Sequence, residues 1–222
     1  MSELPTAPAA HALAKAVMEI EQAAANAGWD HAATVYALVP TASLLQIPEL
    51  PEDMVQYLQS QWDGSEHHLT AVIQEDLPGA DLEDTLSQLA WPDEVAGAAV
   101  CSERVSVPQD VQDAAPEDPV EAAEFFAAHP QRDELRVVAG VLREGDAWCA
   151  VRARSHDSDE QVASGANLVP GLVEALLETF APAYERGRAG GCCGGNSGGC
   201  GCGSPAPAEG GCGSHGGGCG SH

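Results

Sequence analysis

Apolar residues recur at helical spacing near the start of the chain. Leu13, Val17, Ile20, Ala24 and Ala27 share one side of a 3.6-residue period, and Gly28 is placed to end it, which predicts a helix over 8–27. The period then changes. Thr34-Val-Tyr-Ala-Leu-Val39 is β-branched and aromatic and stops at Pro40, the pattern of a strand. Short helices are predicted over 41–46 and 52–61. Asp63-Gly64-Ser65 breaks the chain before a second strand, 68–74, and an acid-started helix over 81–90 halts ahead of Trp91-Pro92. A third strand is predicted over 97–107, and an acidic, proline-containing loop, 108–119, leads to a helix over 120–128.

The strongest local signal is a hairpin, Leu135–Leu142 and Trp148–Arg154, joined through Arg143-Glu-Gly-Asp-Ala147. Setting Val137 against Ala153, Ala139 against Val151 and Val141 against Cys149 makes one side wholly apolar. A slip of one residue would put Arg152 opposite Val137 and mix the faces. The other side then carries Arg136 opposite Arg154, with Arg152 nearby, and Arg104 of the third strand is assigned the parity to join them. Opposed like charges destabilise a sheet unless something anionic lies between them. Arg104, Arg136, Arg152 and Arg154 are therefore candidates for contact with an anion or an acidic partner; the alternative is that acidic helices of the same domain cover and pair with this face. The last helix, 168–181, has Pro170 in its first turn and a stripe of Leu172, Val173, Leu176, Leu177 and Phe180. The order α-β-α-β-α-β-α-β-β-α predicts an α+β fold with a central sheet of about five strands, at least partly antiparallel because the hairpin demands it.

Charge narrows the partners. The 222 residues carry 34 acids against 9 bases, a formal charge of -25, with Lys15 the single lysine. Such a field repels phosphate backbones and anionic lipid, so neither nucleic acid nor membrane is expected as a partner; a protein partner of unknown identity, cationic ligands and divalent metals are favoured. No uncharged apolar run approaches the roughly 18 residues that span a bilayer. The N-terminus lacks the basic and apolar regions of a secretory signal, so the expected location is cytoplasmic, where thiols stay reduced.

The search for catalytic chemistry finds no activated nucleophile. Cys101 and Cys149 both lie inside apolar strands, where thiols pack as small hydrophobes. Glu66-His67-His68 reads as a solvated loop edge, since strand neighbours point to opposite faces. His129 suits the C-terminal cap of its helix, contacting the last carbonyls. Gly-x-Ser-x-Gly, His-Glu-x-x-His and phosphate-loop motifs are absent. A non-enzymatic protein is expected; an enzyme with an unrecognised site is the alternative.

GWDHAATVYALVPTASLL (28–45), IQEDLPGADLEDTLSQLAWPDEVAGAAV (73–100) and HPQRDELRVVAGVLREGDAWCAVRAR (129–154), followed by LVPGLVEALLETF (168–180), resemble an uncharacterised conserved hypothetical family of actinobacteria. The resemblance covers roughly residues 8–184. It implies an organism class and domain limits, and no activity. The C-terminal segment lies outside it.

That segment is chemically distinct. Six of the eight cysteines and two histidines fall within 191–222: Cys192, Cys193, Cys200, Cys202, Cys212, His215, Cys219 and His222. Two parts are expected, an acidic globular domain over 1–186 and a disordered Gly/Cys/His-rich tail over 187–222. Fixing each backbone residue costs about 1–2 kcal/mol, and no large apolar side chain is present in the tail to offset it. Thiolates and imidazoles select zinc or copper(I). Cys212-Gly-Ser-His215 with Cys219-Gly-Ser-His222 supplies one Cys₂His₂ set, and Cys192, Cys193, Cys200 and Cys202 an all-sulfur set. The plainer alternative is an accessory or interaction protein with an incidental tail.

Overall fold

The computed structural model describes residues 5–181, apart from 76, 78 and 80. Its elements are α1 (Pro8–Ala27), β1 (Thr34–Pro40), α2 (Thr41–Leu44), α3 (Glu52–Gln61), β2 (Leu69–Ile73), α4 (Leu82–Gln88), β3 (Gly97–Ser106), α5 (Gln109–Asp113), α6 (Pro119–Ala128), β4 (Asp133–Leu142), β5 (Ala147–Ala153), β6 (Ala163–Gly165) and α7 (Pro170–Glu178). Two 3-10 turns, Arg154–His156 and Asp159–Gln161, separate β5 from β6. The architecture is α+β, as predicted. The sheet has six strands in the order β2-β1-β3-β4-β5-β6, and every neighbouring pair is antiparallel. The additional strand, β6, pairs only three residues with β5, too few for an alternating pattern to show. Likewise α5 occupies part of the expected 108–119 loop, a single short helix led in by Pro108 and held by the buried Val111.

The helices sit on both faces of the sheet. On one side Leu13, Val17 and Ile20 of α1 pack against Leu38, Ala99, Val138, Trp148 and Ala150. On the other, Leu86 of α4 and Leu172, Val173 and Leu176 of α7 cover Val35, Val100, Val137, Val141 and Cys149. Strands buried on both faces read as continuous apolar runs rather than alternations, which explains GAAVC in β3 and VVAGVL in β4. Helix α1 starts with Pro8 in its first turn and ends at Gly28, whose φ of 103° suits a residue without Cβ; the Gly28 N–H still reaches the Ala24 carbonyl at 3.1 Å.

The hairpin corrects the predicted register by two residues while keeping every side chain on its predicted face. Val137 faces Val151, Ala139 faces Cys149, Val141 faces Ala147, and Arg136 faces Arg152 rather than Arg154. The turn decides this. The Leu142 N–H bonds the Asp146 carbonyl at 2.8 Å, closing a three-residue loop with Gly145 at φ 106°, shorter than the Arg143–Ala147 connection expected. The apolar pattern alone has a period of two and cannot distinguish registers two residues apart.

Candidate functional site

Three residues in a row across the sheet, Glu103 of β3, Arg136 of β4 and Arg152 of β5, face α1. Both arginines are almost wholly buried, at 1% and 2% exposure. Arg152 is gripped by Glu21 of α1 through two parallel bonds, Nε to Oε1 at 2.6 Å and Nη2 to Oε2 at 2.9 Å. Its remaining donors reach Asp157 at 3.2 Å and Asp159 at 2.8 Å, both on the segment following β5. The Glu21 carboxylate, backed by Asp159 and Asp157, holds the Arg152 proton more firmly than water would.

Arg136 donates to the Gly28 carbonyl and, at 3.1 Å, to Glu103. Its guanidinium lies 4.2 Å from the Trp29 ring centroid, and that of Arg154 lies 5.5 Å from the same ring. Arg154 bonds Asp30 bidentately, at 2.8 and 3.0 Å, and also Glu134. The Asp30 N–H donates to Glu103 at 2.7 Å, and Trp29 Nε1 donates to Asp157 at 2.9 Å. The triplet Gly28-Trp29-Asp30 is therefore a clamp that binds the end of α1 to β3, β4 and the turn after β5. Asp30 adopts a left-handed φ of 70° to do so, a conformation aspartate tolerates better than most residues.

These contacts revise the predicted arginine set. Arg104 pairs with Leu135, so it points to the opposite face from Arg136 and is exposed; antiparallel partners share a side, and Glu103 takes the position assigned to Arg104. Arg136, Arg152 and Arg154 do converge, but on six carboxylates of the same chain: Glu21, Asp30, Glu103, Glu134, Asp157 and Asp159. An anionic ligand would have to displace these. The arrangement staples α1 to the sheet and to the turn after β5. One signal for it was present in the sequence: Glu21 follows Ala10, Ala14 and Val17 on the buried side of α1, where a charge requires a partner.

The Trp29 bond has a measurable consequence. Asp157 is held below the usual carboxylate range, first by the indole N–H of Trp29 and then by Arg152. A depressed carboxylate contributes stability above its ordinary pKa, and that contribution is lost as pH falls through the depressed value. Trp29→Phe is expected to return the Asp157 midpoint upward in a carbon-13 carboxyl titration. An unmoved midpoint contradicts the bond.

A polar cleft opens beside the N-terminal half of α1. A cavity of about 500 Å³ is lined by His11, Lys15, Glu19, Asp63, Ser65 and His68, with Lys15 and Asp63 paired at 3.2 Å. Asp63 lies below the usual carboxylate range, chiefly because the Ser65 N–H bonds it and secondarily because of Lys15. His68 is not at a solvated edge as predicted. It is 6% exposed, because it leads directly into β2, and its Nδ1 lies 2.7 Å from the Thr41 hydroxyl, itself 2.7 Å from that of Thr70. His129 is the C-terminal cap of α6, as predicted: its backbone N–H donates to the Phe126 carbonyl at 3.2 Å, while its Nδ1 accepts the Gln131 N–H at 3.2 Å. Cys101 and Cys149 are free thiols, and burial pushes Cys101 up to about 11 and Cys149 in the same direction, so neither is a thiolate at neutral pH.

Among the described residues, no group of three or more His, Cys, Asp or Glu side chains is placed to hold a metal ion, and no helix is long and apolar enough to cross a membrane. The tail ligands Cys192, Cys193, Cys200, Cys202, Cys212, His215, Cys219 and His222, like the boundary after residue 186, lie outside the described residues. In comparisons with known proteins, the family described as PPA1309-like protein matches residues 13–181. No curated protein and no solved structure matches the chain.

Proposed function

Because the chain belongs to the PPA1309-like protein family, an uncharacterised one, we propose a function from its own residues: a non-enzymatic protein whose acidic α+β domain contacts a protein partner and whose C-terminal tail binds zinc or copper(I). The supporting observation is the concentration of six thiols and two imidazoles in residues 191–222, separated mainly by glycine. Soft thiolates favour these ions over hard cations, and glycine lets the backbone wrap an ion without steric conflict. Structural zinc contributes about 10–16 kcal/mol in small peptides, and ordering a glycine-rich segment consumes a good part of that, so exchangeable sites are expected. The cellular setting belongs to the same proposal: the cytoplasm of an actinobacterium, where the thiols stay reduced.

Zinc and copper(I) titrations of the reduced full-length protein, beside a full-length variant with the six tail cysteines changed to serine, test this reading. Stoichiometric binding in the first and its loss in the second is the expected result. Equal, weak binding in both removes the metal role.

A further inference from the structure

The α1 face of the sheet is unevenly covered. Helix α1 covers β4 and β5 most fully and reaches Leu38 of β1 and Leu69 of β2, while β2 stands at the edge with one neighbour among the described strands, β1. Bonds from the Gln74 N–H to Val35 and from the Thr41 N–H to His68, each 2.9 Å, mark the bonded rungs of the β1–β2 pair. The alternation of antiparallel rungs then turns the main-chain groups of Leu69, Ala71 and Ile73 away from β1, toward the open side. Edges of this kind are usually blunted with lysine, proline or a bulge. Leu69–Ile73 (LTAVI) has none of these, and Val72 and Ile73 are 38% and 56% exposed.

Beside this edge lies a groove of mixed apolar and polar lining. Two cavities, of about 320 and 430 Å³, meet at Ala23, Tyr36 and Ile73, and Tyr57 of α3 stands on the outer wall, 58% exposed. Spaces of this size accept side chains; a helix, about 10 Å across, does not fit. The exposed charge on its wall is acidic, Glu19 of α1, with Glu52 and Asp53 exposed at the start of α3. Arg136, which lines the second cavity, is 1% exposed and paired with Glu103, and the one base on α1, α3, β1 and β2, Lys15, is paired with Asp63. A second copy of a chain bearing a charge of -25 is a poor match for such a surface.

We propose that the β2 edge docks an extended, basic segment of a partner protein, which continues the sheet with its main chain and packs alternate apolar side chains on Ile73 and Tyr57. This gives chemistry to the partner in the interaction half of the proposed function and is independent of the metal half.

The test uses the full-length protein and a synthetic peptide of alternating lysine and valine, with a glutamate–valine peptide for comparison. Amide hydrogen exchange at Ala71 and Ile73 is expected to slow about tenfold when the lysine peptide is present at about ten times its Kd. The glutamate peptide should leave it unchanged. Ala71→Pro, read at the Ile73 amide, removes an outward N–H that β1 does not use, and Ile73→Lys changes an exposed position; each should abolish the protection while leaving the melting temperature near that of the parent. Unslowed exchange, equal protection by the glutamate peptide, or undiminished protection in both variants overturns the proposal. So does a dimer in sedimentation velocity whose β2 amides are protected without peptide, which would identify a second copy as the occupant. Metal stoichiometry reads the tail and β2 amides read the edge, so either idea can fail alone.

Discussion

Glu21→Ala is expected to destabilise the domain by about 3 kcal/mol, the lower end of the range for breaking a buried ion pair. The substitution leaves Arg152, 2% exposed, without the carboxylate that takes two of its hydrogen bonds. Asp157 and Asp159 remain and moderate the loss, because they approach the same guanidinium from the turn after β5. Most of the effect is the cost of a buried charge left short of partners rather than the worth of the pair itself. Changing both residues to leucine should therefore cost less than Glu21→Ala alone. Urea denaturation read as a lower midpoint at unchanged m measures both. A loss below about 1 kcal/mol in Glu21→Ala, the range of surface ion pairs, would show that the pair is not buried in solution.

Gly140→Val should cost about 3 kcal/mol, at the upper end of the usual range for overpacking. Even a bare Cβ at this position would lie 2.6 Å from Val17 Cγ2 and 3.2 Å from Leu13 Cδ1, so valine's two further methyls have nowhere to go unless α1 lifts off the sheet. Lifting it would also stretch the Glu21–Arg152 contact one turn further along the helix. Gly171→Ala is the matched control. Its Cβ meets nothing within 4 Å, so this change in the first turn of α7 should stabilise slightly, by about 0.5 kcal/mol, through the unfolded chain. Thermal melts compare the two. A Gly140→Val protein as stable as the parent would place α1 farther from β4 than these distances allow.

The elements were largely legible because their signals are local. The α1 stripe, the β-branched β1 run ended by Pro40 and the paired apolar runs around Arg143–Ala147 each carry their own period and punctuation. Two short elements went unseen, β6 of three residues and α5 of five, although α2, with four, lies within a predicted helix. The arginine face shows how much depends on pairing between strands. Arg136 and Arg152 are recognisable as charges inside apolar strands, yet their partners come from Glu21, Glu103 and Asp157, positions far apart in the chain or on another element. Assigning Arg104 to that face failed because strand parity within one segment says nothing about its offset from the next strand. His68 was misread for a related reason. Its burial follows from the β1–β2 pairing that sets it beside Thr41, which no periodicity in residues 66–68 announces.

By itself the sequence determined the α+β composition, the antiparallel hairpin, the alternation that assigns each hairpin side chain to a face, the net negative charge and the concentration of thiols in residues 191–222. These depend on local backbone preference, side-chain chemistry and net charge, all of which are properties of a residue and its near neighbours. Only the tertiary structure decided which carboxylates neutralise Arg136, Arg152 and Arg154, how the hairpin turn sets its two-residue register, and which strands lie at the edges of the sheet. Those outcomes rest on closing loops between distant segments, where a contact exists only once helix and strands have come together.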